Sequence, residues 1–107
     1  MLDKETEALF QSGGKGMKVK IFGKKDCNLC KASISKFKFF LDKWELAERI
    51  ELAFYDLDTV DGLTEGSLLD ALEVPTIILE EDGVEIARWE KRIPRSDEFG
   101  EIFISKA

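Results

Sequence analysis

The sequence predicts a single α/β domain with the element order β-α-β-α-β-β-α. Two periodicities carry this reading: short apolar-alternating runs, and longer segments whose apolar residues recur every three or four positions. Composition agrees, since 107 residues that are 44% apolar and 36% charged suffice for one hydrophobic core.

Residues 1–16 are read as an N-terminal leader or an extra helix. Leu2, Thr6, Leu9 and Phe10 give a weak apolar face before Gln11-Ser12-Gly13-Gly14, and the domain proper spans 17–107. Lys18 to Phe22 alternates as a first strand. Gly23-Lys24-Lys25-Asp26 breaks it, with Gly23 supplying freedom of φ and Asp26 expected as N-cap. From Asn28 to Glu48 no Gly or Pro intervenes, and Cys30, Ile34, Phe37, Phe40, Leu41 and Trp44 form a helical stripe expected in the core, with Phe39 off it. Ile50 to Asp56 turns apolar in its second half, as a central strand would. Residues 56–66 read as a polar, Gly-punctuated loop, with Asp56 and Asp58 ending a strand and starting a turn. A helix at about Glu65 to Leu72 follows, with Leu68, Leu69 and Leu72 facing inward. Val74-Pro75 precedes a strand from Thr76 to Leu79. Glu81-Asp82-Gly83 signals a turn into a hairpin partner, Val84 to Trp89. Pro94 ends that region. Ser96 is expected to cap a last helix with Asp97 and Glu98 in its first turn and Phe99, Ile102 and Phe103 on its inner face.

Composition excludes several functions. A formal charge of −6 suits neither DNA nor RNA, so no nucleic-acid partner is expected. No run approaches the ~18 apolar residues of a membrane helix, and the first residues lack a secretory signal, so a cytoplasmic protein without a membrane partner is expected. There is no histidine, hence no imidazole base and no imidazole metal ligand. Two cysteines do not fill a zinc shell within one chain, so no metal site is expected. An iron–sulfur cluster shared between two chains through Cys27 stays open as an alternative. Gly13-Gly14-Lys15-Gly16 follows no strand and reads as a linker.

The remaining chemistry lies in Cys27-Asn28-Leu29-Cys30. A loop this short is a weak structural staple, and a reducing compartment disfavours permanent disulfides. A redox dithiol is favoured where such a pair follows a strand and opens a helix, as here. Helix-start N–H groups stabilise an anion, so Cys27, with Lys24 and Lys25 just before it, is expected to have a lowered thiol pKa; Asp26 opposes this unless it turns away. Cys30, at i+3 on the buried stripe, would resolve the mixed disulfide that Cys27 forms. The bland alternative is a pair of small buried hydrophobes without redox activity.

Three features together resemble the thioredoxin/glutaredoxin superfamily over about Met17 to Ile104. They are the strand-loop-Cys-x-x-Cys-helix, Val74-Pro75-Thr76 before the third strand, and the terminal hairpin and helix. The resemblance implies a thioredoxin-like fold with a four-stranded mixed sheet flanked by helices. It implies a cis Pro75 whose loop faces the dithiol, and a Val74 that offers its backbone to an extended substrate. Lys24 stands where glutaredoxins place a lysine that contacts the glutathione carboxylate. Asn28-Leu29 replaces the Pro-Tyr of dithiol glutaredoxins, however, and the Gly-Gly and Cys-Ser/Thr-Asp of their glutathione site are missing, so glutathione dependence does not follow. The Trp and the Gly-Pro of the thioredoxin motif are absent too. The resemblance also brings the loop of Lys91, Arg92 and Arg95 near the site, either to recruit an anionic substrate or as a solvated turn. What it implies is a monomeric thiol-disulfide oxidoreductase with catalytic Cys27 and Cys30 and substrate-binding Lys24, Val74 and Pro75. It would act on a protein or small-molecule disulfide, with an upstream thiol or reductase donor and no cofactor beyond the dithiol. The rival reading is a redox-silent module that binds a partner strand beside Pro75.

Overall fold

The computed structural model describes residues 16–106. The expected leader or extra helix, 1–16, lies outside the described residues apart from Gly16, as does the side chain of Phe103. The elements are β1 (Met17–Gly23), α1 (Asn28–Lys43), β2 (Ile50–Asp56), α2 (Val60–Leu68), β3 (Thr76–Glu81), β4 (Val84–Glu90) and α3 (Ser96–Lys106), in the expected order. They build a four-stranded mixed sheet, ordered β2-β1-β3-β4. β1 runs parallel to β2 and antiparallel to β3, and β3 and β4 form a hairpin. Its two central residues, Asp82 and Gly83, both have positive φ (53° and 84°), the twist a two-residue hairpin turn requires.

Strand alternation sends side chains to two unequal cores. On one face Val19, Ile21, Ile77, Leu79 and Trp89 meet Phe37, Phe40 and Leu41 of α1 and Phe99 of α3. Phe99 meets Phe37 edge-on at 5.1 Å and stacks on Phe40 at 5.2 Å, so α3 is held to α1 largely by aromatic contact. On the other face Phe22 and Ile78 pack with Leu57 and Ala71.

Several expectations change here. β2 is an edge strand, not a central one, and its Phe54 is exposed. α1 stops at Lys43 because Glu45 turns to φ 55° and the N–H of Leu46 reaches back to the carbonyl of Leu41 (2.7 Å), closing the helix without glycine. Trp44 consequently lies at the surface, one edge against Gly100. α2 begins at Val60, five residues before the expected start, with Thr59 as N-cap accepting from the Gly62 N–H (3.0 Å). Its buried residues are Gly62 and Gly66, while Leu68 is 76% exposed, Leu72 is exposed and Leu69 is half-buried. The glycines that read as loop punctuation are the packing face. A Cβ on Gly62 would strike the Asp56 main chain, and one on Gly66 would meet Leu57 at 2.8 Å. At α3, Ser96 lies inside the helix rather than capping it. Arg95 accepts the first helical bond, from Phe99 N–H (3.1 Å), and Glu98 reaches back to the Arg95 N–H (2.8 Å).

A buried ion cluster fastens α2 to the sheet. Lys20 Nζ lies 2.8 Å from Glu65 and 3.1 Å from Glu80. Burial alone would lower the Lys20 pKa, but hydrogen bonds to both carboxylates outweigh it and raise it. From β4, Arg88 donates to the carbonyls of Leu69 (2.6 Å) and Asp70 (2.8 Å), satisfying the groups that the end of α2 leaves open.

Candidate functional site

β1 ends at Gly23, and the loop through Lys24, Lys25 and Asp26 delivers Cys27 to the start of α1. Cys27 itself, not Asp26, is the N-cap. Its φ and ψ are extended, its carbonyl accepts from the Lys31 N–H (3.1 Å), and its sulfur accepts from the Cys30 N–H (3.1 Å). Asp26 turns out to solvent. The front sulfur therefore sits where the helix presents unpaired donors and the positive end of its dipole.

Cys27 is half-buried and Cys30 fully buried, and both are free thiols. Burial pushes the Cys30 thiol from its ordinary 9.0 up to about 11, helped by a hydrogen bond to the Cys27 side chain and by charge on Cys27 and Asp26; a backbone hydrogen bond at Lys24 pulls the other way. The two sulfurs thus face each other, one reachable and one sealed.

Gly23 explains the sealing. A Cβ there would collide with the Cys30 sulfur and lie 2.9 Å from the Cys30 Cβ, so the missing side chain is the space that the thiol occupies. Its φ lies outside the left-handed region, so the glycine serves close approach rather than the freedom of φ expected from sequence. Phe54 borders the same spot, 3.4 Å from that position.

Antiparallel register pairs Phe22 with Thr76, so Val74-Pro75 and the cysteine loop share one end of the sheet. The Val74–Pro75 bond is cis, as the family resemblance implied. Pro75 is buried and its carbonyl accepts from the Lys91 N–H (2.7 Å). The N–H and C=O of Val74 have no hydrogen-bond partner among the described residues, and Val74 is only half-buried. Lys24 is exposed and loosely paired with Asp58 (3.8 Å).

The basic loop is not an open cationic patch. Lys91 pairs with Glu73 (3.0 Å), Arg92 with Glu98 (2.9 Å), and Arg95 with Asp97 (3.1 Å). The Arg92 guanidinium and the Arg95 N–H hold the Glu98 carboxyl down to about 2. Among the described residues no cluster of three or more His, Cys, Asp or Glu could hold a metal ion.

The overall shape matches solved thioredoxins. A thioredoxin-2 of the malaria parasite superimposes with a TM-score of 0.66 at 24% identity, over 85% of this chain and 82% of that one. This chain has the thioredoxin-like fold. Fasciola hepatica thioredoxin gives a TM-score of 0.65 at 21% identity over 96% and 92% of the two chains. Thioredoxin O2 from Arabidopsis thaliana, in its oxidised state, gives 0.66 at 17% identity over 92% and 87%. No protein-family model and no curated protein matches the sequence. The cysteine pair was legible in sequence, whereas the cis bond before Pro75 came only from the family resemblance. Gly23 was seen only as a breaker, since nothing in sequence indicates which sulfur fills the space it leaves.

Proposed function

We propose that the protein is a thiol-disulfide oxidoreductase acting on a protein or low-molecular-weight disulfide. The observation that carries this is the pairing of a reachable sulfur at the helix N-cap with a sealed one a turn behind it.

In the proposed cycle the Cys27 thiolate attacks one sulfur of a substrate disulfide. A Cys27–substrate bond forms, the substrate S–S bond breaks, and the first substrate sulfur leaves as a thiolate that takes up a proton. Cys30 then loses its proton to solvent and attacks the Cys27 sulfur. The Cys27–Cys30 disulfide forms and the second substrate thiolate departs, so two electrons have moved from protein to substrate. Timing follows from the electrostatics of Cys30. While Cys27 is a free thiolate, its charge and hydrogen bond add to burial in keeping Cys30 protonated. Once Cys27 is tied into a mixed disulfide, both contributions vanish, and the Lys24 backbone remains to stabilise a Cys30 thiolate. Burial, the larger cause, persists, so engaging the front sulfur eases deprotonation of the rear one without removing the whole upward shift.

The free N–H and C=O of Val74 suit an extended segment carrying the target disulfide. Pro75 forms the floor of that subsite, and Lys24 supplies a cation at its rim. The cycle needs no cofactor beyond the dithiol, and an upstream thiol or reductase restores it. All these residues belong to one chain, which suits a monomer in a reducing compartment such as the cytoplasm. No helix among the described residues is long and apolar enough to cross a membrane.

Two experiments test the reading. Equilibration with mixtures of reduced and oxidised dithiothreitol, read by mass, should show a two-electron Cys27–Cys30 couple between about −270 and −120 mV. Cys30→Ser should accumulate a stable mixed disulfide at Cys27 with a disulfide substrate, whereas Cys27→Ser should not. A pair that never oxidises, or a Cys30→Ser protein that traps nothing, would overturn this reading in favour of the redox-silent binding module.

A further inference from the structure

The outward side of α1 is unlike the rest of the surface. From Lys24 to Lys43 the chain carries six lysines and two aspartates, a net +4 within a chain of −6. Lys18, Lys20, Lys24, Arg88, Lys91, Arg92 and Arg95 each lie 3.9 Å or closer to a carboxylate. Lys31, Lys36, Lys38 and Lys43 form no ion pair among the described residues, although the chain has a surplus of acids. Lys25 and Arg49, just beyond either end of the helix, share that state.

At 3.6 residues per turn, Lys31 and Lys38 line one flank of the outward face and Lys36 and Lys43 the other. Between them stand Phe39, 58% exposed, and the exposed carboxylate Asp42, so the face carries four lysines against one acid, with Trp44 partly exposed at the helix end. Lys43 Nζ lies 5.9 Å from the Phe39 ring and 5.8 Å from the Trp44 ring. Lys36 Nζ lies 5.6 Å from the Phe40 ring. An exposed aromatic flanked by cations that contact rings but no carboxylate is the composition of a docking face, with an apolar anchor and a charged rim.

We infer that the outward face of α1 docks an acidic protein surface that inserts an apolar side chain beside Phe39. The charge pattern selects this occupant. Lysines without a salt-bridge partner call for carboxylates, and the exposed rings call for apolar contact that a phosphate backbone does not provide. The excess negative charge on the rest of the domain repels an extended polyanion or an anionic bilayer, whereas a compact acidic patch meets only the helix. The face starts beside Cys27, but its binding does not use the cysteines.

The probe is a fluorescein-labelled helical peptide of Glu and Asp with Leu along one face, titrated against the full chain by anisotropy at low and at physiological salt. Binding should weaken with salt. It should fall roughly tenfold in Lys36→Glu/Lys43→Glu and by a similar factor in Phe39→Ser, but change less than about twofold in Lys18→Glu, which alters a charge elsewhere. Backbone amide shifts should move along Asn28–Lys43 and not on α2. Binding should persist in Cys27→Ser/Cys30→Ser, so that failure of docking and failure of the redox reading are told apart. Equal binding by the helix variants, shifts centred elsewhere, tighter binding to phosphatidylserine vesicles than to the peptide, or self-association through this face in sedimentation would each overturn the proposal.

Discussion

Gly23→Ala probes the contact on which the site is built. The added methyl would overlap the Cys30 sulfur and sit 2.9 Å from its Cβ, where carbon atoms prefer about 3.5–4.0 Å. Overpacking of a filled site costs about 1–3 kcal/mol. Because the Gly23 backbone is not left-handed, the substitution also restricts the unfolded chain and returns about 0.4–1 kcal/mol. A net loss of about 1–2 kcal/mol is expected, read as a lower urea midpoint at unchanged slope. The sulfur is the nearest obstacle, so the cost should fall by about 1 kcal/mol in a Cys30→Ala background without vanishing, because the Cβ at 2.9 Å remains. The double-mutant cycle should then return a coupling of about 1 kcal/mol. A cost that is the same in both backgrounds would refute the claim that the glycine exists to house the thiol.

Other expectations follow from the same packing. Lys20→Met should cost about 3 kcal/mol, because it leaves buried Glu80 without its cation, and adding Glu80→Gln should restore part of the loss; a cost under about 1 kcal/mol in urea unfolding would show the cluster to be solvated. Leu68→Gln should change stability by less than about 0.5 kcal/mol, since the side chain faces solvent, whereas a loss of 2 kcal/mol or more, about that of a buried leucine, would contradict the observed placement of α2.

The parts of the fold that could be read from sequence are those in which side-chain period and core burial coincide. Val19 and Ile21 alternate into the larger core, Phe37, Phe40 and Leu41 recur on the inner side of α1, and Asp82-Gly83 marks a two-residue turn. Misreadings occur where backbone, not side chain, makes the contact. Helix α2 buries two glycines against a strand end, so its apolar residues point outward and a rule that places leucines inside shifts the helix. The end of α1 is set by a left-handed glutamate, a residue with no sequence signal for it. Lys20 looks like the polar half of an alternating strand, and only the later arrival of Glu65 and Glu80 makes its burial tolerable. At the site the cysteine spacing was legible, but Cys27 taking the cap from Asp26 was not, because a carboxylate is the stronger expectation there.

The division of labour between the two sulfurs is tested most directly by alkylation of the reduced protein with iodoacetamide, mapped by mass as a function of pH. Near pH 7 modification is expected at Cys27 alone, with Cys30 labelled only as the pH nears its raised value of about 11 or after unfolding. Equal labelling of both cysteines in the folded protein at neutral pH, or labelling of Cys30 first, would contradict the account.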